Sequence, residues 1–287
     1  MDVSVIIVNY NTKEITAACI DSIFKFTDSV TFEIILVDNA SNDGSRDLFS
    51  NDRRITYIYN NENCGFGKAN NIGVRVASGK YLFFLNSDTL LQNNVLALFY
   101  EQAEKCLNNK IAFWGTVLYD KDGSPNGYGD SFPSLIRSLR IAAHIDSKQE
   151  FCISDDFEPF TVDYVLGADI FTLKSVFEDC DGFDEDYFMY YEESDLMRRA
   201  RKDGYRCQII CGPKIIHLEG KSSGKISHAK RMMVEKSHIL HLRKHYPLAL
   251  FRLFLVAYTL LKMPSFFSGH YTLRANIEYF CFLIGSF

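Results

Sequence analysis

The chain has 287 residues, of which 47% are hydrophobic and 23% are charged, and it carries a formal net charge of −5. These values exclude a disordered or low-complexity chain, and the length predicts one main domain with an extension. Charge is unevenly distributed along the chain, because residues 226–287, the tail, hold 8 Lys and Arg against 2 Asp and Glu. We therefore expect the reactive site in the acidic residues 1–225 and an anionic partner for the tail.

The first ninety residues alternate strand and helix signals. The predicted elements are a strand at 3–8, a helix near 13–26, a strand at 32–37, a helix near 43–50, a strand at 55–59, a helix near 66–77 and a strand at 81–85. Because such alternation with short links is typical of βαβ units, the sequence predicts an α/β fold with a mostly parallel sheet.

The pattern continues less regularly beyond these units. The predicted elements are a helix at 92–108, a strand at 111–118, an irregular stretch at 120–160, strands at 161–168 and 170–173, helices at about 174–179 and 187–202, and short strands at 208–210 and 214–217 around Gly212 and Pro213. The tail is predicted to begin with a basic helix at 228–245 and to continue as apolar stretches.

Eight cysteines are scattered along the chain. The start of the chain has no basic segment before a long apolar run, so we expect a cytosolic protein with reduced thiols. Only Cys207 and Cys211 are close together, and without a second pair they favour two thiols on a short strand over a zinc site.

Three predicted strands end on polar residues. These residues are Asn9-Tyr10-Asn11, Asp38-Asn39 and Asn86-Ser87-Asp88. Because open α/β sheets bind ligands at the carboxyl ends of their strands, the pattern predicts a site for a charged ligand, held by a metal and side chains rather than by a glycine-rich loop.

Asp88 is the strongest candidate metal ligand, because hard divalent cations prefer oxygen ligands and neutralise diphosphates. The alternative for the Asn-Ser-Asp segment is an ordinary strand-ending turn. His217 also ends a predicted strand and is a candidate second ligand, against the alternative of a structural histidine.

Three acidic residues, Glu192, Glu193 and Asp195, follow the aromatic run at 187–191. They could simply complement a helix N-terminus. Alternatively, one of them is a general base for a hydroxyl nucleophile, with aromatic rings beside it to contact a sugar. The segment 63–70 leads into a predicted helix, and backbone N–H groups at a helix N-terminus can bind an anion. The Gly-x-Gly pattern in this segment is only weak evidence for such an anion site.

Taken in order, these motifs resemble glycosyltransferase family 2, and within it the bacterial rhamnosyltransferase-like branch. The segments that carry the resemblance are 4–11, 37–45, 63–70, 85–88, 182–185, 191–196, and His217 with 220–223. The resemblance spans about residues 3–225. It implies a glycosyltransferase A fold, an inverting mechanism and a nucleoside diphosphate sugar as donor.

The resemblance also implies roles for individual residues. The nucleotide and donor would be bound by Val8, Tyr10, Asp38, Asn39, Asn70, Asn86, Ser87 and Asp88. Asp88 stands in the family's Asp-x-Asp motif and would bind a divalent cation, Mn²⁺ or Mg²⁺, with His217 as a further ligand. Glu193 stands in place of the catalytic base, with Glu192 and Asp195 beside it.

The sequence departs from the family pattern at two positions. Asn86 replaces the first acid of Asp-x-Asp, which bears on metal dependence. Glu193 replaces the usual aspartate and lengthens the base by one methylene. These departures leave open a non-catalytic nucleotide-sugar-binding or scaffold protein of the same fold.

The expected function is transfer of a sugar, with rhamnose as one candidate, to a surface-polysaccharide or lipid-linked acceptor, without nucleic acid. A nucleotidyltransferase would normally carry a glycine-rich basic loop after its first strand, where this chain has residues 9–13. A dinucleotide oxidoreductase is disfavoured because Gly-x-Gly-x-x-Gly is missing there.

The division expected from this pattern is a catalytic domain at 1–225 and a basic, apolar helical extension at 226–287. A membrane-spanning helix needs about 20 apolar residues, but Arg252 and Lys262 leave nine uncharged residues between them. Two alternatives remain for the tail: it lies on an anionic membrane surface, as in a peripheral protein, or it packs on its own protein.

Overall fold

The structure is a computed structural model. It describes residues 1–106, 109–146, 156–218, 227–267 and 269–286. Residues 147–155 of the irregular stretch lie outside the described residues, and with them Cys152, one of the eight cysteines. The segment 220–223, which contributes to the family resemblance, also lies outside them.

Strands and helices alternate through the first half of the chain. The strands are β1 (Val3–Asn9), β2 (Phe32–Asp38), β3 (Thr56–Tyr59), β4 (Tyr81–Asn86), β5 (Thr89–Leu91), β6 (Ile111–Tyr119), β7 (Pro125–Gly127), β8 (Gly129–Asp130), β9 (Phe160–Val162), β10 (Tyr164–Val165), β11 (Asp169–Leu173) and β12 (Arg206–His217). The helices are α1 (Lys13–Phe26), α2 (Ser45–Phe49), α3 (Phe66–Val74), α4 (Val95–Cys106), α5 (Leu135–Ala142), α6 (Lys174–Asp179), α7 (Glu192–Lys202), α8 (His228–His245), α9 (Leu248–Lys262) and α10 (Leu273–Gly285). A 3₁₀ helix at Met263–Phe267 follows α9.

One mixed sheet organises the first part of the molecule. Its strand order is β3-β2-β1-β4-β11-β6-β12-β5, with β7 paired to β6 and β9 paired to β12. The strands β3, β2, β1 and β4 are parallel, and so are β6 and β12, whereas β11 runs antiparallel to both β4 and β6. The predicted α/β fold with a mostly parallel sheet is confirmed.

Backbone register aligns the strand ends that the sequence singled out. Asn9 of β1 pairs with Asp38 of β2, and Val8 pairs with Asn86 of β4. The carboxyl ends of these three strands therefore meet at one edge of the sheet, as predicted.

The centre of the sheet is held by a cluster of aromatic side chains. Phe171 of β11 stacks on Phe99 of α4 at 5.3 Å between ring centroids and on Tyr81 of β4 at 5.0 Å. Trp114 of β6 meets the same ring edge-on. Because each aromatic ring buries a large apolar area, this cluster stabilises the position of β11 between β4 and β6.

Three local predictions differ from the structure. The helix predicted at 187–202 begins at Glu192, because Tyr190 and Tyr191 adopt left-handed φ values of 71° and 70°. The two strands predicted around Gly212 are one strand, β12, with a register shift between Ile210 and Ile215. The stretch predicted as irregular contains α5.

The chain divides into two compact units. The first comprises residues 1–131, 151–188 and 192–222 and contains the sheet; the second comprises residues 132–150, 189–191 and 223–287. The second unit has a core of its own, in which Leu242 of α8 packs with Leu255 of α9 and Leu283 of α10. Among the described helices, none combines the length and apolar character needed to cross a bilayer.

Glu33 of β2 gives a prediction about pH and stability. Its Oε1 accepts hydrogen bonds from the Ser4 hydroxyl at 2.6 Å and from the backbone N–H and hydroxyl of Ser78, both at 2.7 Å. Burial by itself raises the pKa of Glu33, but these hydrogen bonds outweigh it and leave the pKa below its usual value. The stabilisation is therefore present above the unfolded-state pKa of about 4.3 and is lost as the pH falls through the folded value.

We expect Glu33→Gln to lower the free energy of unfolding by about 1 kcal/mol at pH 7, and by less in acid. Urea unfolding at neutral and acidic pH measures both values, with exposed Glu101→Gln of α4 as the matched control. If Glu33→Gln lowered the free energy of unfolding equally at both pH values, the effect would come from packing and not from the charge of Glu33.

Candidate active site

Asp88 and His217 lie together beside the edge strand β5. His217 Nε2 is 3.2 Å from Asp88 Oδ1, and the backbone register places His217 opposite Thr89. The Leu218 N–H donates to the Asp88 carbonyl at 2.8 Å, which fixes the end of β12 on this turn. The side chains of Asp88 and His217 remain 13% and 21% exposed, so an ion could reach both.

The two side chains offer one oxygen and one nitrogen ligand. Carboxylate oxygens suit Mg²⁺ and Mn²⁺, whereas imidazole nitrogen suits transition metals. The pair therefore fits a cation such as Mn²⁺ with a diphosphate completing its coordination. The metal role of both residues remains a prediction.

The turn that carries Asp88 is fixed by its neighbours. The Asn86 N–H donates to the Ala168 carbonyl at 3.0 Å, and the Asn86 carbonyl accepts from the Thr89 hydroxyl at 2.7 Å. Ser87 Oγ lies 3.2 Å from Thr12 Oγ1, which joins the turn to the residues after β1. Ala168 and Thr12 were not singled out from the sequence, because neither belongs to a motif with its own signal.

Glu193 lies against the residues that lead into β11. A Cβ atom built on Gly167 would lie 3.8 Å from Glu193 Cδ, so the carboxyl group is within van der Waals range of this position. The next residue, Ala168, binds Asn86 through the hydrogen bond described above. The predicted base and the predicted metal-binding turn therefore flank the same short segment, 167–168.

Glu192 is in a different environment from Glu193. Its side chain is buried, with only 4% of the residue exposed. Burial, and secondarily the charge of Glu193, raises the pKa of Glu192 well above its usual value. Burial therefore favours the neutral form of the Glu192 carboxyl group over its charged form.

Asp195 is held in an ion pair. Arg199 Nε donates to Asp195 Oδ2 at 2.7 Å, and the same guanidinium donates to the carbonyls of Gly182 and Cys180. This arrangement joins α7 to the turn after α6. The i,i+4 spacing of an acid and an arginine was visible in the sequence, and it indicates an architectural contribution from Asp195.

The residues predicted to bind the nucleotide fall into two groups. Tyr10, just after β1, is 49% exposed, and Val8, near the end of β1, is half-buried, so both have surface available at this edge of the sheet. Asp38 is buried, and it accepts hydrogen bonds from the Tyr57 hydroxyl at 2.6 Å and from the Ser41 N–H at 2.9 Å.

Asn39 and Asn70 are also buried. The Asn39 amide donates to Asn63 Oδ1 at 2.8 Å, while its oxygen accepts from the Cys64 N–H at 3.1 Å. Asn70 donates to the Phe66 carbonyl at 3.0 Å within α3. These contacts organise the 63–70 segment, and binding of a nucleotide by Asn39 or Asn70 remains a prediction.

Gly65 fixes the entry into α3. Its φ is +88°, and a Cβ atom there would collide with the Phe188 carbonyl, which accepts a hydrogen bond from the Phe66 N–H at 2.8 Å. Only glycine fits this position without strain. The contact ties the 63–70 segment to the residues shortly before α7.

The architecture is that of the glycosyltransferase A fold. The mannosyltransferase PcManGT from Pyrobaculum calidifontis, solved in complex with GDP-Man and Mn²⁺, superposes with a TM-score of 0.60 at 14% identity, covering 99% of this chain and 80% of that protein. The chain belongs to glycosyl transferase family 2, whose family model matches residues 4–160.

Two curated relatives extend the similarity. The dTDP-rhamnosyl transferase RfbF of Shigella flexneri is 28% identical over 231 residues, which is 76% of this chain and 73% of the relative. The low-salt glycan biosynthesis hexosyltransferase Agl10 of Haloferax volcanii is 27% identical over 217 residues, which is 73% of this chain and 66% of the relative. The chain spans only 35% and 21% of the length of two other curated relatives that it matches. The similarity to rhamnosyltransferase-like members inferred from the motifs is confirmed.

Proposed function

We propose that residues 1–225 form the catalytic domain of an inverting glycosyltransferase that uses a nucleoside diphosphate sugar. The observation that carries the proposal is the grouping of polar residues at one edge of the sheet. Asp88 lies 3.2 Å from His217, and Glu193 flanks the segment that binds the Asn86 turn. Family membership supports the same reaction class.

Asp88 and His217 would hold a divalent cation, which, when bound, neutralises charge on the diphosphate of the donor. The chain fixes Asp88 through the backbone contacts of Asn86 and Leu218, so the ligand is oriented before the donor arrives. Such preorganisation lowers the cost of stabilising the negative charge that develops on a leaving group.

Glu193 acts as the general base in the proposed reaction. The acceptor hydroxyl oxygen attacks the anomeric carbon from the face opposite the diphosphate, and Glu193 takes the hydroxyl proton. The bond from the anomeric carbon to the diphosphate oxygen breaks with its electron pair, which releases the nucleoside diphosphate. One displacement inverts the anomeric configuration. Glu192 is buried and Asp195 is held in an ion pair with Arg199, whereas the partly exposed Glu193 faces Gly167, which supports Glu193 as the base.

The donor sugar and the acceptor are proposed from the relatives. RfbF is a dTDP-rhamnosyl transferase, which supports rhamnose as a donor sugar to test first. Agl10 acts in glycan biosynthesis by its name, which supports a growing saccharide, surface-exposed or lipid-linked, as acceptor.

A panel of nucleotide sugars tests this proposal. A donor that binds only the folded protein should stabilise it by about 2.7 kcal/mol at a concentration 100 times its Kd. We expect one member of the panel to raise the unfolding temperature in the presence of Mn²⁺, and to release nucleoside diphosphate when a suitable acceptor is added. The product's anomeric configuration, read by NMR, reports on inversion.

Two results would contradict the proposal. Binding without any release of nucleoside diphosphate would instead support the non-catalytic scaffold. Retention of the anomeric configuration would exclude the single displacement by the acceptor.

A further inference from the structure

Helix α9 is apolar on two faces. One face, formed by Phe251, Leu255 and Tyr258, is at most 4% exposed and belongs to the core of the second unit. Away from that core, Leu253 is 69% exposed, Val256 is 46% exposed and Leu260 is 60% exposed. These three follow one another at helical spacing and form a stripe along the exposed surface. A helix with apolar residues on both faces normally has a partner for each.

Helix α10 repeats the arrangement. Tyr279 and Leu283 are buried in the same core, whereas Leu273, Ile277 and Ile284 are 64%, 49% and 61% exposed. Their spacing is again that of one helical stripe, with exposed Cys281 between the last two. We call the exposed residues of α9 and α10, namely Leu253, Val256, Leu260, Leu273, Ile277 and Ile284, the apolar stripes.

The segment that carries the apolar stripes has a positive net charge. Residues 226–287 hold 8 Lys and Arg against 2 Asp and Glu. Of the two acids, Glu235 is buried and accepts a hydrogen bond from the Tyr279 hydroxyl. The Oε2 atom of Glu278 lies 3.0 Å from Nε2 of His228. Arg252 and Arg274 are exposed on the same two helices. A partner of this surface must therefore offer an apolar region to the apolar stripes and anionic groups to the exposed arginines.

We propose that the apolar stripes dock on an anionic lipid bilayer, with α9 and α10 lying at the interface and the basic residues facing the headgroups. A single exposed apolar residue needs no explanation, but two stripes on adjoining helices do. A second copy of the chain would bring two basic surfaces together, which opposes association. The proposal goes beyond sugar transfer and does not depend on the donor.

Vesicle binding by the full-length protein tests the apolar contribution. We expect binding to vesicles of phosphatidylcholine and phosphatidylglycerol, and roughly 10–100-fold weaker partitioning for the double variant Leu253→Gln with Leu260→Gln. The matched control is Leu48→Gln with Val76→Gln, because Leu48 and Val76 are 47% and 50% exposed in the first unit. The control should bind like the unsubstituted protein, and thermal unfolding verifies that both variants fold.

The charge contribution has its own test. Arg252→Gln with Arg274→Gln should weaken binding to phosphatidylglycerol-containing vesicles about 30-fold, which corresponds to roughly 1 kcal/mol for each basic residue removed. Exposed Arg53→Gln with Lys121→Gln, in the first unit, is the control and should have no effect. Binding of the unsubstituted protein should also fall near 1 M salt, where the Debye length is about 3 Å.

Three outcomes would overturn the proposal. The first is that the unsubstituted protein fails to bind anionic vesicles. The second is that the leucine variant and its control lose binding equally. The third is that the unsubstituted protein is a dimer by sedimentation and the leucine variant is a monomer with unchanged vesicle binding, which would assign the apolar stripes to a second copy.

Discussion

Glu193→Gln is expected to lower the rate of sugar transfer by roughly 10²–10⁴-fold while donor affinity is retained. Glutamine preserves the size and most of the hydrogen bonding of the side chain but cannot accept the acceptor's proton. Because the carboxyl group lies against Gly167 and not in the apolar core, the substitution should leave the fold intact. Steady-state kinetics give the rate, and donor titration gives the affinity.

Two matched variants decide which carboxyl group is the base. Glu192→Gln should have a much smaller effect on transfer, because Glu192 is buried and burial favours its neutral form, which glutamine resembles. Asp195→Asn should mainly destabilise the protein, since it leaves the Arg199 guanidinium without its buried partner. If Glu192→Gln lost transfer and Glu193→Gln kept it, the assignment of the base to Glu193 would be wrong.

Asp88→Ala is expected to abolish cation-dependent donor binding and, with it, transfer. The reason is that Asp88 supplies the carboxylate oxygen ligand of the proposed site, and without it His217 offers only one nitrogen ligand. Calorimetric titration with Mn²⁺ and the donor measures the loss. The side chain lies at the end of β4, outside the apolar run of that strand, so urea unfolding should change little.

Asp88→Asn is the matched control for charge. It keeps the size of the side chain and a hydrogen-bonding partner for His217, yet removes the negative charge. We expect it to lose cation-dependent binding nearly as completely as the alanine variant. Full Mn²⁺-dependent binding in both variants would remove Asp88 from the metal site and leave the segment as an ordinary strand-ending turn.

The strands that form the site could be predicted because each carries its own local signal. β1, β2 and β4 are apolar runs that end abruptly on polar residues, and burial on both faces requires such runs. The three-residue strand β5 could not be predicted, because it is defined by pairing with β12 and not by its own sequence. α5 was missed since its eight residues follow a segment rich in turn signals.

The sequence predicted where the site lies better than it predicted the roles of the individual residues in it. Asp88 and His217 were proposed as a pair, but only the register of β12 on β5 brings them to 3.2 Å. The three acids before α7 look alike in the sequence, and burial and ion pairing separate them in the structure. The start of α7 was placed five residues too early, because left-handed backbone at the consecutive residues Tyr190 and Tyr191 has no sequence signal.

The insertion of β11 between β4 and β6 has a consequence during synthesis. β1 to β4 can pair as soon as they leave the ribosome, but the far edge of β4 gains its neighbour only when Asp169–Leu173 emerges. At about 5–20 residues per second this interval is roughly 4–17 s. Throughout it, the run of Tyr81 to Leu85 presents unpaired backbone groups beside fully apolar side chains, which favours intermolecular strand pairing. The late arrival of β11 therefore makes β4 the strand edge most open to intermolecular pairing while the chain is being synthesised.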